Sequence, residues 1–341
     1  MSNQSFEEAI IPVSVIIVTW NNAAHLQSCM TSLLAQTYCN FEVIIIDNGS
    51  TDETILGLEE KYPTLNLHVE RLGSNLGFAN ANNIGARLAQ GKWLALLNAD
   101  AFPKPDWLAR LIEVGEKMPN SFFASRQIQA NSPGLLDGEG DMYHISGLAW
   151  RRHYGLPVEE KYEIEEIFSS CAAAALYPRQ IFLEAGGFDE DYFSYQEDVD
   201  LGFRLRLNGY RCYFVPQAVV YHVGSASTGK HSDFAIYYGH RNLVWSYVKN
   251  MPAPLFWFFM PLHLIANGVV FIRFFLTGHG KAIWRAKRDA ICSLRLMLCK
   301  RKKIQRGRKA SLREIYFMME QDPLAPLRVS RQRRRFRTEK A

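Results

Sequence analysis

No C-x-x-C pair occurs among the six cysteines, which stand at 29, 39, 171, 212, 292 and 299. That excludes a zinc ribbon or thioredoxin-like site and offers no disulfide framework, so a reducing compartment is expected. The opening stretch, Met1 to Ile10, lacks the basic and apolar regions of a secretory signal. The catalytic part is therefore expected to stay in the cytoplasm. There is no internal repeat and no excess of polar residues; at 48% hydrophobic, the chain can bury a full core and is not globally disordered. The net charge of +5 hides an asymmetry. Residues 1–250 hold 18 Lys+Arg against 29 Asp+Glu, a net of −11, and residues 251–341 hold 21 against 5, a net of +16. Two units are expected, an acidic body over 1–250 and a basic, aromatic helical region over 251–341. An acidic body suits a metal-assisted enzyme; a basic region suits an anionic surface.

Two hydrophobic periods alternate through the first hundred residues. Val13–Thr19 and Phe41–Asp47 are β-branched runs that read as buried strands, Leu65–Glu70 as a more polar one and Trp93–Leu97 as a fourth. Asn21 is placed to cap a helix running to Gln36, and helices are expected over Thr51–Lys61 and Leu76–Gln90. This alternation predicts an α/β fold with a mostly parallel sheet flanked by helices, its ligands beyond the carboxyl ends of the strands. Further on, Gly134–Asp141 reads as an exposed loop, Cys171–Leu176 as a buried small-residue segment, Glu197–Leu207 as a helix, and Arg211–Val215 and Val219–His222 as two short strands.

Polar clusters sit where such strands end. Asp47 precedes Asn48-Gly-Ser and suits either the ring N–H of a uracil or thymine base or a turn that binds its own backbone. Asn98-x-Asp100 follows a hydrophobic strand; a carboxylate there suits a divalent cation bridging two phosphates, or a capping turn. Glu197, Asp198 and Asp200 crowd three carboxylates into four positions, which raises their proton affinity and suits a general base, or decorates a helix N-terminus. The stretch Asn75-Leu-Gly77-Phe-Ala-Asn-Ala-Asn82-Asn83 suits phosphate or ribose, or a cap packed through small residues. His222 follows a β-branched strand and suits a metal, a phosphate or a structural role.

Taken in order, VSVIIVTWNN, IIIDNGSTDET, NLGFANANNIG, LLNADA, AGGFDEDYFSYQEDVDLGFRLRLNGY and YHVGSAS resemble family 2 of the inverting glycosyltransferases, which have the GT-A fold. The likeness covers roughly residues 12–245 and is nearest to the bacterial rhamnosyltransferase-like enzymes of cell-surface polysaccharide synthesis. It implies that Thr19, Trp20, Asn21, Asp47, Asn48, Asn75, Gly77, Asn82 and Asn98 serve the donor nucleotide. It implies Mg²⁺ or Mn²⁺ on Asp100 and His222, and Asp198 as catalytic base supported by Glu197. Asn98 stands where the family's metal motif has its first carboxylate, leaving a thinner metal site. The Q-x-x-R-W motif of processive synthases is absent, so a single transfer is expected. The implied donor is a dTDP-, UDP- or GDP-sugar, with dTDP-rhamnose favoured. A polyprenyl-phosphate sugar synthase and an inactive membrane scaffold are the competing readings.

Leu255–Leu276 is long enough to span a bilayer, but Pro261, His263, Asn267 and Arg273 interrupt it. A pair of interfacial helices is expected, their basic residues on anionic lipids at the cytoplasmic face of the inner membrane. A packed helical subdomain or an oligomer interface is the other reading; no nucleic-acid module accompanies the charge. The expected acceptor is a saccharide on a polyprenyl diphosphate.

Overall fold

The structure is a computed structural model and describes residues 12–160, 162–224 and 232–329. Three sequence expectations fall outside those residues: the stretch Met1–Ile10, the Ser225-Ala226-Ser227 end of the last motif, and all but Arg328 of the basic run to Arg337.

The chain begins as β1 (Val13–Thr19), α1 (Ala23–Leu34), β2 (Phe41–Asp47), α2 (Leu58–Lys61), β3 (Asn66–Arg71), α3 (Phe78–Leu88) and β4 (Trp93–Leu97). The strands stand in the order β4-β1-β2-β3, all parallel. Their β-branched residues are buried on both faces, as parallel strands between helices require. Two details differ from the sequence reading. Thr51–Gly57 is a turn and only Leu58–Lys61 is helical. Asn22, not Asn21, precedes α1; Asn21 takes a left-handed φ of 48° and its Oδ1 accepts from Thr51 N–H at 2.8 Å.

The second half follows as β5 (Ala101–Pro103), α4 (Trp107–Lys117), β6 (Ser121–Gln129), β7 (Leu136–Gly138), the hairpin β8 (Asp141–Tyr143) and β9 (Ala149–Arg151), β10 (Glu165–Ile167), β11 (Ala174–Pro178), α5 (Arg179–Glu184), α6 (Glu197–Leu207) and β12 (Arg211–His222). Beyond β4 the sheet continues β11-β6-β12-β10, with β6 and β12 running the same way as the first four strands and β11 and β10 reversed. β11 runs antiparallel to both its neighbours, a pairing that needs no helical crossover. The two short strands expected near the end are one strand, β12, with a register shift between Val215 and Val219. The loop expected to be exposed over Gly134–Asp141 is largely buried: Asp137 and Glu139 are each 1% exposed, because β7 pairs with β6 and presses them inward.

The helices that follow are α7 (Asp233–Asn250), α8 (Ala253–Phe274), α9 (Gly280–Cys292), α10 (Leu294–Arg306) and α11 (Leu312–Met318). α8 is one helix through Pro261, not the expected pair, and turns at Thr277–Gly278 into α9. A hydrophobic core joins Trp245 and Tyr247 of α7, and Met251 just beyond it, to Phe256 and Phe259 of α8, Met297 of α10 and Phe203 of α6. A buried ionic chain reinforces this junction. Lys249 Nζ lies 2.5 Å from Asp189 and 2.7 Å from Asp200, and Lys300 pairs with Asp189 and Asp191.

Candidate active site

A cleft of about 310 Å³ opens over the carboxyl ends of β1, β2 and β4. Its far wall comes from β8–β9, the segment before β11, the start of α6 and the start of α7.

The first wall is built by register. Thr19 stands beside Asp47 across the β1–β2 ladder, and Asn48 N–H donates to Thr19 O at 2.8 Å. Asp47 Oδ1 accepts from Ser50 N–H, forming the turn its sequence context allowed. Thr19 Oγ1 is buried and has no hydrogen-bond partner among the described residues. Trp20, Asn48, Asn75 and Asn98 line the cleft; Thr19, Asn21, Asp47, Gly77 and Asn82 are not among the residues that line it. Asn48 and Asn75 bond to each other at 3.0 Å and accept from Leu76 and Gly77 N–H, so they fix the loop entering α3. Gly77 has φ 88°, and a Cβ there would stand 2.6 Å from the Phe193 ring. Asn82 bonds back to Phe78 O one turn earlier, facing its own helix.

Asp100 and His222 come together because β5 pairs with β12, with Ala101 opposite His222. His222 Nε2 lies 3.3 Å from Asp100 Oδ1 and 3.3 Å from Asn98 Nδ2, while Nδ1 lies 2.7 Å from Asp137 Oδ2. A carboxylate only accepts, so the 2.7 Å contact assigns a proton to Nδ1. In the neutral ring the Nε2 lone pair then faces a carboxylate oxygen. Two lone pairs face to face fit a cation, and an imidazole–carboxylate set held by a further carboxylate fits a divalent metal. Burial pulls the His222 proton affinity down, but the bonds to Asp100 and Asp137 outweigh it and the net shift is upward. The Oδ1 of Asn98, also buried, has no hydrogen-bond partner among the described residues.

Glu197 and Asp198 open α6. The helix approaches the 169–172 segment closely, because Gly202 leaves room where a Cβ would sit 1.9 Å from Ser169 Oγ. Ala172 N–H thereby reaches Asp198 Oδ2 at 3.1 Å, and Val199 N–H bonds Oδ1 at 2.8 Å. Asp198 is part-open to the cleft. Burial raises it above the usual carboxylate range, against the pull of those two N–H groups and Arg151. Glu197 is buried and raised further, by burial and then by Asp198. Asp200 faces away: it bonds Arg204, Lys249, Tyr192 and Asn250, and Lys249 and Arg204 hold it low despite burial. The three-carboxylate cluster therefore divides, since a helix turns residues two apart to different faces.

Several cleft residues carried no signal in the sequence. Asp141 and Arg151 pair across the β8–β9 ladder, and the carboxylates of Asp141 and Asp198 lie within 4.8 Å of each other and of the Cys171 thiol. Phe193, Tyr195 and Gln196 take φ of 64°, 67° and 68°, left-handed values that strain non-glycine residues. Asn242, fully buried on α7, holds this turn: Nδ2 donates to the carbonyls of Tyr192, Ser194 and Tyr195 at 2.9, 2.9 and 2.7 Å.

The arrangement resembles proteins of known activity. An N-acetylglucosaminyl-diphospho-decaprenol L-rhamnosyltransferase of Mycobacterium tuberculosis is 30% identical over 248 residues, covering 63% of this chain and 77% of that one. Among solved structures, the mannosyltransferase PcManGT from Pyrobaculum calidifontis, in complex with GDP-Man and Mn²⁺, superposes with a TM-score of 0.54 at 17% identity, covering 86% of this chain and 85% of that one. GalNAc-T7, with UDP, GalNAc and Mn²⁺, gives 0.58 at 20% identity over 70% of this chain, which spans 48% of that one. These likenesses establish the GT-A fold. The family model for glycosyl transferase family 2 matches residues 14–185, half of the chain, and the chain belongs to that family.

Proposed function

We propose that this glycosyltransferase moves one sugar, rhamnose from dTDP-rhamnose, to a hydroxyl of a saccharide on a polyprenyl diphosphate, with inversion at the anomeric carbon. The observation that carries the reading is one cleft lined both by the Asp100–His222 pair and by Asp198, a carboxylate raised by burial and held by two backbone N–H groups. The rhamnosyl donor and lipid-linked acceptor rest on the mycobacterial relative's activity. Thr19 and Asp47 serve the nucleotide, with Trp20, Asn48 and Asn75 along its path. Asp100 and His222, beside Asn98, are the residues that would hold Mg²⁺ or Mn²⁺. Such a cation neutralises charge on the diphosphate.

Asp198 takes the proton of the acceptor hydroxyl. The oxygen bonds the anomeric carbon as the bond to the nucleoside diphosphate breaks on the opposite face, and one displacement inverts the centre. Glu197, whose Oε2 has no partner among the described residues, is raised well above its ordinary range by burial and then by Asp198, which disfavours two charges on the pair.

The catalytic body is residues 1–250; residues 251–341 hold it to the cytoplasmic surface of a membrane. α8 is long and apolar enough to cross a bilayer by length and composition. Its outer face carries Trp257, Phe258, Leu264 and Ile265, each more than 60% exposed. Its inner face is committed to protein: His263 Nδ1 lies 2.7 Å from Ser146 O and its ring stacks on Tyr247 at 3.9 Å. A helix packed this way lies along the surface, with Lys281, Arg285 and Arg288 of α9 near the headgroups. A thermal-shift screen of dTDP-, UDP- and GDP-sugars with and without Mn²⁺ tests the donor: stabilisation greatest with dTDP-rhamnose and metal supports the reading, and no response to any of them overturns it.

A further inference from the structure

One carboxylate oxygen connects the two halves of the cleft. Asp137 Oδ2 accepts from His222 Nδ1 at 2.7 Å and also from the Arg151 guanidinium. Asp137 is 1% exposed, so both bonds are shielded from water. The local fold makes them unavoidable. β7 pairs with β6, Gly138 packs against the Arg151 side chain, and Gly140, with φ 80°, turns the chain so that Asp141 faces Arg151 across the hairpin. Arg151 lines the cleft and attracts Asp198. A chain of charge-assisted contacts thus runs from Asp100 through His222 and Asp137 to Arg151, which lines the same cleft as Asp198.

We infer that Asp137 is a positioning residue for both halves of the site, fixing the His222 tautomer whose Nε2 faces Asp100 and tethering Arg151 beside Asp198. This rests on the metal reading given above. A carboxylate on Nδ1–H orients a histidine and raises the basicity of its other nitrogen, and losing such a partner costs ten- to a hundred-fold in metal affinity. Asp137→Asn keeps the shape and removes the charge, so the oxygen that faces His222 and Arg151 becomes at best a neutral amide acceptor.

The experiment is a titration of Mn²⁺ into the full-length chain with saturating dTDP and, separately, UDP, free ion being read by electron paramagnetic resonance. Asp137→Asn should weaken Mn²⁺ by about ten- to a hundred-fold, while thermal unfolding stays cooperative. Arg151→Met should leave Mn²⁺ affinity within about two-fold and lower kcat instead. Equal Mn²⁺ affinity in wild type and a folded Asp137→Asn overturns the inference alone. A wild type that takes up no Mn²⁺ with either nucleotide overturns the metal reading along with it. If Asp137→Asn does not fold, imidazole nitrogen NMR of the wild type at alkaline pH decides: a proton on Nδ1 of His222 supports the inference, and a proton on Nε2 overturns it.

Discussion

Asp198 and Asp200 stand two residues apart on α6 and face opposite surroundings: Asp198 the cleft, Asp200 a buried ionic chain ending on Lys249 at 2.7 Å. One short helix therefore serves both the reaction and the junction with the C-terminal helices. Lys249→Met would leave Asp200 buried with Arg204 as its remaining cation and Asp189 with Lys300. Breaking such a buried pair costs about 3–5 kcal/mol, and we expect a loss near the lower end by urea unfolding. A loss under about 1 kcal/mol, the range of surface pairs, would show that the chain is not a structural bond.

The pH dependence of transfer should follow Asp198. The base acts ionised, and burial raises it above its ordinary 3.8. Activity is then full above the raised value and falls as pH drops through it, so the acid limb of kcat/KM lies above that of a free aspartate. Arg151 pulls the same group down. Arg151→Met should therefore move the limb to higher pH; a limb that stays in place would detach Arg151 from Asp198.

Asn242→Ala tests the strained turn. The left-handed residues Phe193, Tyr195 and Gln196 cost about 1–3 kcal/mol each and persist because the surroundings hold them. Without the Asn242 amide, three carbonyls lose their donor, at a cost of about 1–3 kcal/mol. We expect kcat to fall at least ten-fold with nucleotide affinity unchanged, because most residues proposed for the nucleotide stand at or just beyond the ends of β1 and β2. Parallel loss of nucleotide binding would contradict the division of the cleft into two walls.

Membrane attachment should be salt-sensitive and carried by the outer face of α8. Burying a large aromatic side chain is worth about 1.5–3 kcal/mol, so Trp257→Ser with Phe258→Ser should weaken sedimentation with phosphatidylglycerol vesicles at least ten-fold. Unchanged binding, or retention through an alkaline wash, would contradict surface attachment.

The first half of this fold is legible in the sequence because β1 and β2 are β-branched runs and β4 a continuous apolar run, separated by helical periods. Beyond β4 the signal fades for physical reasons. β11, Ala-Ala-Leu-Tyr-Pro, has no β-branched residue and reads as a small-residue segment, and β7, with its Leu-Asp-Gly, looks like a turn until β6 buries it. Asp100, His222, Glu197 and Asp198 sit in motif text, and the fold brings all four to one cleft. Asp137, Arg151, Asp141 and Asn242 are single polar residues whose meaning arises only from tertiary contacts. Asn21 and Asn82 show the converse: polar residues in conspicuous text whose side chains brace a loop and a helix.

The central claim is that Asp198 is the base of a glycosyl transfer. Its most direct test is the rate of rhamnosyl transfer from dTDP-rhamnose to an N-acetylglucosaminyl-diphospho-polyprenol by Asp198→Asn, alongside the variant's affinity for dTDP. We expect transfer to fall at least a hundred-fold, as loss of a general base entails, with dTDP affinity within about two-fold of wild type because the residues proposed to serve the nucleotide stand on the other wall. Transfer within about ten-fold of wild type, a loss too small for a general base, would contradict the account.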